Sequence, residues 1–267
     1  MREYLPRFIQ EIIRHRKLIF TLAVRDLRSS HLGSVLGIFW LFAEPAIYMF
    51  IMWFIFSFTM GLRPSGDRPY LPWLMTGMIT WLFFSACLSQ SVSVFRSFEY
   101  LLKVREIEAA IIPSIKILST LLLHFVFIAM LIVLLLVSGE TISVYWLQTI
   151  YYIVCLVVLS YGLILGIASI HLFIKDMASV VSLTLQIGFW ASPIFWDLGR
   201  FSEKYHVIIK ANPIYYVISG YRNSFLFHKP FWSEPTYTVY FWCLVLCLNF
   251  GGWRVYRRLR PTFGDVL

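Results

Sequence analysis

The sequence predicts an all-α membrane protein. It has six transmembrane helices, an N-terminal amphipathic helix in the interface and re-entrant half-helices before the last span. Three observations carry this. Residues 69–95, 117–139, 177–196 and 235–253 contain no Lys, Arg, Asp or Glu, and a fifth such stretch, 141–174, is interrupted by His171. A hydrocarbon core about 30 Å thick takes roughly 20 apolar residues of helix, so each stretch can cross it. The composition agrees: 59% of residues are hydrophobic and 14% charged, with mean hydropathy +0.74, where a soluble domain carries about 25% charge. The basic residues are also segregated. Seven lie in residues 1–30, three in 96–105, one at Lys175 and four in 254–260. Six spans with both termini cytoplasmic place all of these on the inner face, as the positive-inside rule requires.

The net charge of +9 therefore records topology and contact with anionic lipid, not a nucleic acid partner. The whole chain, 1–267, reads as one transmembrane domain. Four cysteines, Cys87, Cys155, Cys243 and Cys247, fall inside apolar runs and read as small buried hydrophobes. The apolar run nearest the amino terminus starts near residue 33, too late and too long for a signal peptide.

Residues 1–32 form the interfacial segment. Leu5, Phe8, Ile9, Ile12, Ile13, Ile19, Phe20, Ala23, Val24 and Leu27 recur at helical spacing, with Arg7, Arg14, Arg25 and Arg28 opposite them. The first span, 33–60, opens with Gly33 and Gly37 four apart, a spacing that permits close helix approach. It carries Trp40, Tyr48 and the pair Glu44-Pro45, where the proline removes a backbone donor and predicts a kink. An ionisable residue at that depth is expected to face a protein interior or a wet cavity, so Glu44 reads as pore-facing.

The second span, 71–95, starts at Leu71-Pro72-Trp73, with proline in a first helical turn. The charged loop 96–110 follows, and Glu99, Lys103 and Glu106 lie at i, i+4 and i+7, giving a short helix one polar face. Spans three and four cover 111–137 and 143–172, the latter with Gly162 and Gly166 inside it. The fifth, 177–196, ends in Ser192-Pro193 and Trp196. Residues 197–234 cannot hold another span, because Asn212-Pro213, Gly220 and Arg222 interrupt the apolar stretch. A spanning helix there would also leave Arg254, Arg257, Arg258 and Arg260 outside. The region reads as an extracellular pair of half-helices, and span six, 235–253, returns the chain to the cytoplasm.

Motifs for catalysis are missing. The sequence has no phosphate-binding loop, and the dipeptide Gly-Lys does not occur. No H-E-x-x-H, G-x-S-x-G or C-x-x-C is present either. His124 and His171 read as packing residues, not metal ligands. The aromatic content of 18% is high. Trp73, Trp146, Trp232 and Trp253 are expected interfacial belt residues. Trp40, Tyr48, Trp81, Phe84 and Trp190 lie deeper, either as core packing or as faces for sugar rings along a path.

Several segments, taken in order, resemble the permease subunits of type-2 ABC exporters that move polysaccharides and teichoic acids. They are Leu36-Gly37 through Trp40 to Glu44-Pro45, Gly77 through Trp81 to Phe84, Ser192-Pro193 to Trp196, Asn212-Pro213 through Tyr215, Tyr216, Gly220 and Tyr221 to Arg222, and Tyr240 to Trp242. The Asn212-to-Arg222 stretch and the tail Phe263 to Asp265 look closest to wall teichoic acid export permeases, while capsule and O-antigen permeases share the first pattern. The resemblance implies a homodimer, on the plasma membrane of a bacterium, that works with two copies of a separate ATP-binding subunit. ATP and Mg are then bound by that subunit, and the chain itself holds no cofactor or metal. It implies a coupling helix in the loop 96–110, with Glu99, Lys103, Arg105 and Glu106 as contacts. It also implies a path for a lipid-linked polymer bordered by Trp40, Glu44, Tyr48, Trp81, Phe84, Trp190, Trp196, Tyr215, Tyr216, Tyr221 and Arg222. Arg25 and Arg28 would meet either a substrate head group or lipid phosphate. Wall teichoic acid is the first cargo this implies, with capsule or O-antigen polysaccharide as the alternative. A membrane-embedded transferase using Glu44, Glu140 or Asp197, and a type-2 drug or lipid exporter, are the competing classes.

Overall fold

The computed structural model describes residues 4–29, 37, 39–59, 61, 69–102 and 107–266, and among these the secondary structure is entirely helical. The expected interfacial helix forms as two, α1 (Tyr4–Arg14) and α2 (Arg16–Ser29). A turn at His15 separates them, yet the bonds from His15 N to Glu11 O and from Ile19 N to His15 O run through it. Helix α2 buries Ile19, Leu22 and Ala23, which share one face, while Ile9, Ile13 and Phe20 remain open.

Gly37 lies in a turn with φ of +43°, before α3 (Phe39–Phe54) begins. Of the expected helix-contact pair, Gly37 serves a left-handed turn, and Gly33 falls outside the described residues. Pro45 sits within α3, and the chain departs from α geometry only at a π turn, Ile55–Thr59.

Helix α4 (Tyr70–Ser91) is the axis of the fold, with Trp73, Leu74, Met78, Ile79 and Cys87 among its buried residues. Its buried hydroxyls are satisfied locally, Thr76 donating to Trp73 O at 2.7 Å and Thr80 to Thr76 O at 2.9 Å. Two short helices follow, α5 (Val94–Ser97) and α6 (Glu99–Leu102). Then come α7 (Ile112–Val137), α8 (Thr149–His171), α9 (Met177–Ala191), α10 (Glu203–Ala211), α11 (Pro213–Arg222) and α12 (Pro235–Leu259). Helix α4 packs on α7, α8, α9, α11 and α3.

Among the described residues five helical stretches are long and apolar enough to cross a membrane: Phe39–Thr59, Tyr70–Ser91, Ala109–Val137, Val144–His171 and Pro235–Gly264. The fifth expected span is shorter than its apolar run. Helix α9 has 15 residues, about 22 Å at 1.5 Å per residue, against about 30 Å of hydrocarbon. The cause is local. Ser192 precedes Pro193, whose ring excludes the helical region for its neighbour, and Ser192 is extended with ψ of 144°. The same chemistry separates α10 from α11, where Asn212 before Pro213 has ψ of 118°.

Helices α8 and α12 cross with almost no space between their backbones. A Cβ on Gly252 would lie 2.0 Å from the carbonyl oxygen of Gly162, and one on Gly162 would lie 2.6 Å from Asn249 Cα. Asn249 closes the contact by donating to Val158 O at 2.9 Å. Of the cysteines, Cys87 and Cys155 are buried as expected, whereas Cys243 and Cys247 lie on the outward face of α12.

Both ends of the described chain meet at one end of the bundle. Helix α1 touches the turn Ala109–Ile111, and Phe8 packs on Tyr161 with ring centroids 4.9 Å apart. From the other terminus, the Tyr256 hydroxyl donates to Glu108 Oε1 at 2.9 Å and Arg260 pairs with the same oxygen at 2.9 Å. Phe263 is buried there, its ring 5.2 Å from that of Phe95. At this end the Lys116 ammonium of α7, which the sequence reading passed over, pairs with Asp26 of α2, both side chains nearly buried. Removing one member of a buried pair strands the other charge, at a cost of about 3–5 kcal/mol. Asp26→Asn is thus expected to lower the thermal midpoint in detergent sharply, and Asp26→Asn with Lys116→Met to recover much of the loss.

Candidate functional site: aromatic rings around a broken helix

The site is organised by the break after α9. Residues Ser192 to Phe195 leave the helix yet stay buried, so their polar backbone groups need partners other than water. Side chains from distant elements supply them. Tyr70, at the start of α4, donates to Phe195 O at 2.9 Å, and Arg222, at the end of α11, donates to Ile194 O at 2.9 Å. Asn212 donates to Ser192 Oγ at 2.9 Å while its own Oδ1 caps α11 by accepting from Ile214 N at 3.0 Å. The Asn212-to-Arg222 segment and the start of α4 thus converge on the irregular backbone of the Ser192-to-Trp196 segment.

Arg222 is the centre of this arrangement. It is only 6% exposed, and its guanidinium carbon stands 3.5 Å from the centroid of the Trp73 ring. Burial pulls its pKa down to about 9, partly countered by Asp197, and the group remains charged at neutral pH. Gly77 makes the geometry possible, because a Cβ there would meet Arg222 Nη2 at 3.1 Å and Ile194 O at 3.1 Å. The sequence reading assigned Trp73 to an interfacial belt; instead it is the buried floor beneath a cation.

A layer of aromatic rings surrounds the break. Phe189 of α9 lies 6.5 Å from Tyr48, 5.8 Å from Trp81 and 5.4 Å from Trp190, measured between centroids. Trp81 in turn meets Phe84 at 5.9 Å. Phe195 stacks on Phe56 at 4.9 Å and touches Trp190 at 5.1 Å. Trp196 donates its indole N–H to Trp190 O at 3.2 Å. Tyr48, Trp81, Phe84, Trp190 and Trp196, named from sequence, are therefore brought together. Phe189 and Phe195, which join them, were missed because nothing in a run of apolar residues marks one ring as a hub.

The rest of the named set falls elsewhere. Trp40 and Glu44 are exposed on α3 and lie on its outward side. Tyr216 belongs to a second network, 2.9 Å from the Tyr151 hydroxyl and 3.0 Å from that of Thr238, with Trp242 Nε1 donating to Tyr151 at 2.9 Å. Tyr215 packs on Tyr237 at 5.8 Å. Tyr221 is fully buried, its hydroxyl 2.7 Å from His124 Nε2. Burial raises the pKa of Tyr215, Tyr216 and Tyr221, keeping these phenols neutral. In this conformation Tyr216, Tyr221 and Arg222 face protein, not an open passage.

Within the expected coupling segment Glu99–Leu102 is helical; Lys103, Arg105 and Glu106 lie outside the described residues. Arg25, read as a contact for a substrate head group or lipid phosphate, is exposed, donates to the Tyr100 hydroxyl at 2.9 Å and stands over its ring. Arg28 is exposed. Among the described residues no three His, Cys, Asp or Glu side chains converge as a metal site would require.

The outward-facing surface is strongly apolar. Trp190 is 55% exposed, Trp40 41% and Tyr48 38%, and α9 adds Val180, Leu183 and Ile187 in one stripe. A face of this kind is covered by lipid or by another protein chain.

Comparison with known proteins agrees with the segment pattern. The model of the ABC-2 type transporter family matches residues 17–226. The O-antigen export system permease protein RfbA of Klebsiella pneumoniae is 26% identical over 251 residues, covering 94% of this chain and 95% of its own length. RfbA of Myxococcus xanthus is 24% identical, covering 86% and 88%. The polysialic acid transport protein KpsM of Escherichia coli is 24% identical, covering 88% and 91%. With the family pattern running from α2 to just beyond α11, the chain is a multi-pass membrane protein of the ABC-2 type transporter family.

Proposed function

We propose that this chain is the membrane-embedded half of an ATP-driven exporter that carries a lipid-linked polysaccharide out of the cytoplasm. As a permease of that family it is not an enzyme by itself, and an ATP-binding subunit supplies the work. Family membership displaces the transferase reading. The relatives' names point to O-antigen and polysialic acid, so polysaccharide replaces wall teichoic acid as the preferred cargo. Six spans, α9 with its appended break counting as the fifth, and re-entrant α10 and α11 are part of the proposal, as are cytoplasmic termini. So are a homodimer, two copies of the ATP-binding subunit, and a docking role for Glu99 and the 103–106 segment.

The observation that carries the reading is the open aromatic face. Trp40, Tyr48 and Trp190, with Glu44 among them, are the members of the named path set left uncovered within one chain. A second copy opposite this face would enclose a passage walled by flat rings, suited to the faces of sugars. Reconstitution of both subunits in vesicles should show ATP-dependent movement of lipid-linked polysaccharide. Trp190→Ala should slow that movement tenfold or more while ATP hydrolysis persists. Unchanged transport in Trp190→Ala and Trp40→Ala together would sink the assignment of the path.

A further inference from the structure

Helices α2, α3 and α7 enclose a partly open cavity of about 220 Å³ that the proposed path does not use. Val24, Leu27 and Arg28 line it from α2, Leu41 and Phe42 from α3, and Leu122, Leu123 and Val126 from α7. Among the described residues seven of these eight side chains are apolar, and Arg28 is the cation. Val24, Leu27 and Arg28 stand at i, i+3 and i+4, so the α2 contribution is one helical face.

The two basic residues of this part of α2 are not equivalent. Arg25 is bound to Tyr100, and Asp26 is paired with Lys116. Arg28 is exposed and, among the described residues, has no hydrogen-bond or ion-pair partner. The Asp26–Lys116 pair also sets a depth. Leu122 and Val126 follow Lys116 by six and ten residues of α7, which is about 9 to 15 Å along the axis at 1.5 Å per residue. The cavity's α7 wall thus lies beyond that pair along an apolar helix, on side chains that only apolar matter covers well, with Arg28 as the cavity's charged member. Its size is below the roughly 300–1,000 Å³ of sites that hold whole drug-sized ligands, so it accommodates part of one chain.

We infer that this cavity is a binding site for an acidic glycerophospholipid, with one acyl tail between α3 and α7 and its phosphate on Arg28. The site is separate from the aromatic face, and its occupant is a resident lipid rather than cargo. The inference rests on the membrane location of the chain and not on the identity of the polymer. A lipid held here wedges α2 against two spans and couples the interfacial helix to the composition of the surrounding leaflet.

The test uses the intact permease with its ATP-binding subunit, purified in mild detergent and incubated with phosphatidylglycerol or phosphatidylcholine. Native mass spectrometry then counts the lipid retained per chain. The unmodified protein is expected to keep phosphatidylglycerol at least fivefold better than phosphatidylcholine. Arg28→Gln should bring the two to the same level, and Leu123→Trp should exclude both. Arg14→Gln removes an equal charge from α1, away from the cavity, and should behave as the unmodified protein does. A preference that survives Arg28→Gln would overturn the inference. Loss of preference in Arg14→Gln as large as in Arg28→Gln would do the same, since general surface charge would then explain it. Because Arg28 is exposed, its variant reports on binding even if the tryptophan variant fails to fold.

Discussion

Arg222→Leu is expected to destabilise the protein by about 3 kcal/mol and to abolish transport. The change removes a charge-assisted hydrogen bond and leaves Ile194 O buried without a donor, a loss of about 1–3 kcal/mol. It also removes the cation from the Trp73 ring, worth about 2 kcal/mol in a desolvated setting. Relief from burying a guanidinium offsets part of the sum. Arg222→Lys keeps the charge but loses the planar fork and the stacking, and an ammonium is more strongly hydrated. Lysine should therefore be at least as damaging as leucine. Thermal unfolding in detergent gives the ranking; a lysine variant as stable as the parent would show that charge alone matters.

Gly252→Ala should be comparably severe for a different reason. The added methyl would sit 2.0 Å from a backbone oxygen of α8, and neither helix has a flexible side chain there to move aside. Overpacking a core usually costs about 1–3 kcal/mol, and a clash between two backbones lies at or above the upper end. The expected result is a separated α8–α12 pair, seen as a large fall in thermal midpoint and in yield. Gly251→Ala, one residue away with open space around its Cβ position, is the matched control and should be nearly neutral.

Much of the architecture was legible because the bilayer imposes a simple rule, that backbone polar groups must be satisfied within helices. Uncharged runs therefore marked the long helices to within a few residues, as in Tyr70–Ser91 for the expected 71–95. Boundaries failed where apolar composition outlasted helical geometry. The run to Trp196 remains hydrophobic, but Pro193 ends α9 at Ala191. Hydropathy does not register that event, although the proline itself does.

The site was legible in its parts and not in its assembly. Asn212, Arg222 and Gly77 were visible as a pattern, but the purpose of Arg222 and Gly77 depends on Ile194, which contributes a backbone carbonyl. No side-chain motif announces a carbonyl that needs a donor. Lys116 was overlooked because a lone cation at the start of an apolar helix looks incidental until Asp26 is found against it.

Phe98, Tyr100 and Glu108, on either side of the proposed coupling residues, are held from two sides. Tyr100 grips Arg25 of α2 and Phe98 lies beneath Lys116, while Glu108 holds Tyr256 and Arg260 of the last helix. A push delivered at these residues would be shared between the opening and closing stretches of the described chain. On the proposed docking role, these two stretches would act as two arms of a single lever, and shortening either arm would blunt what the other transmits.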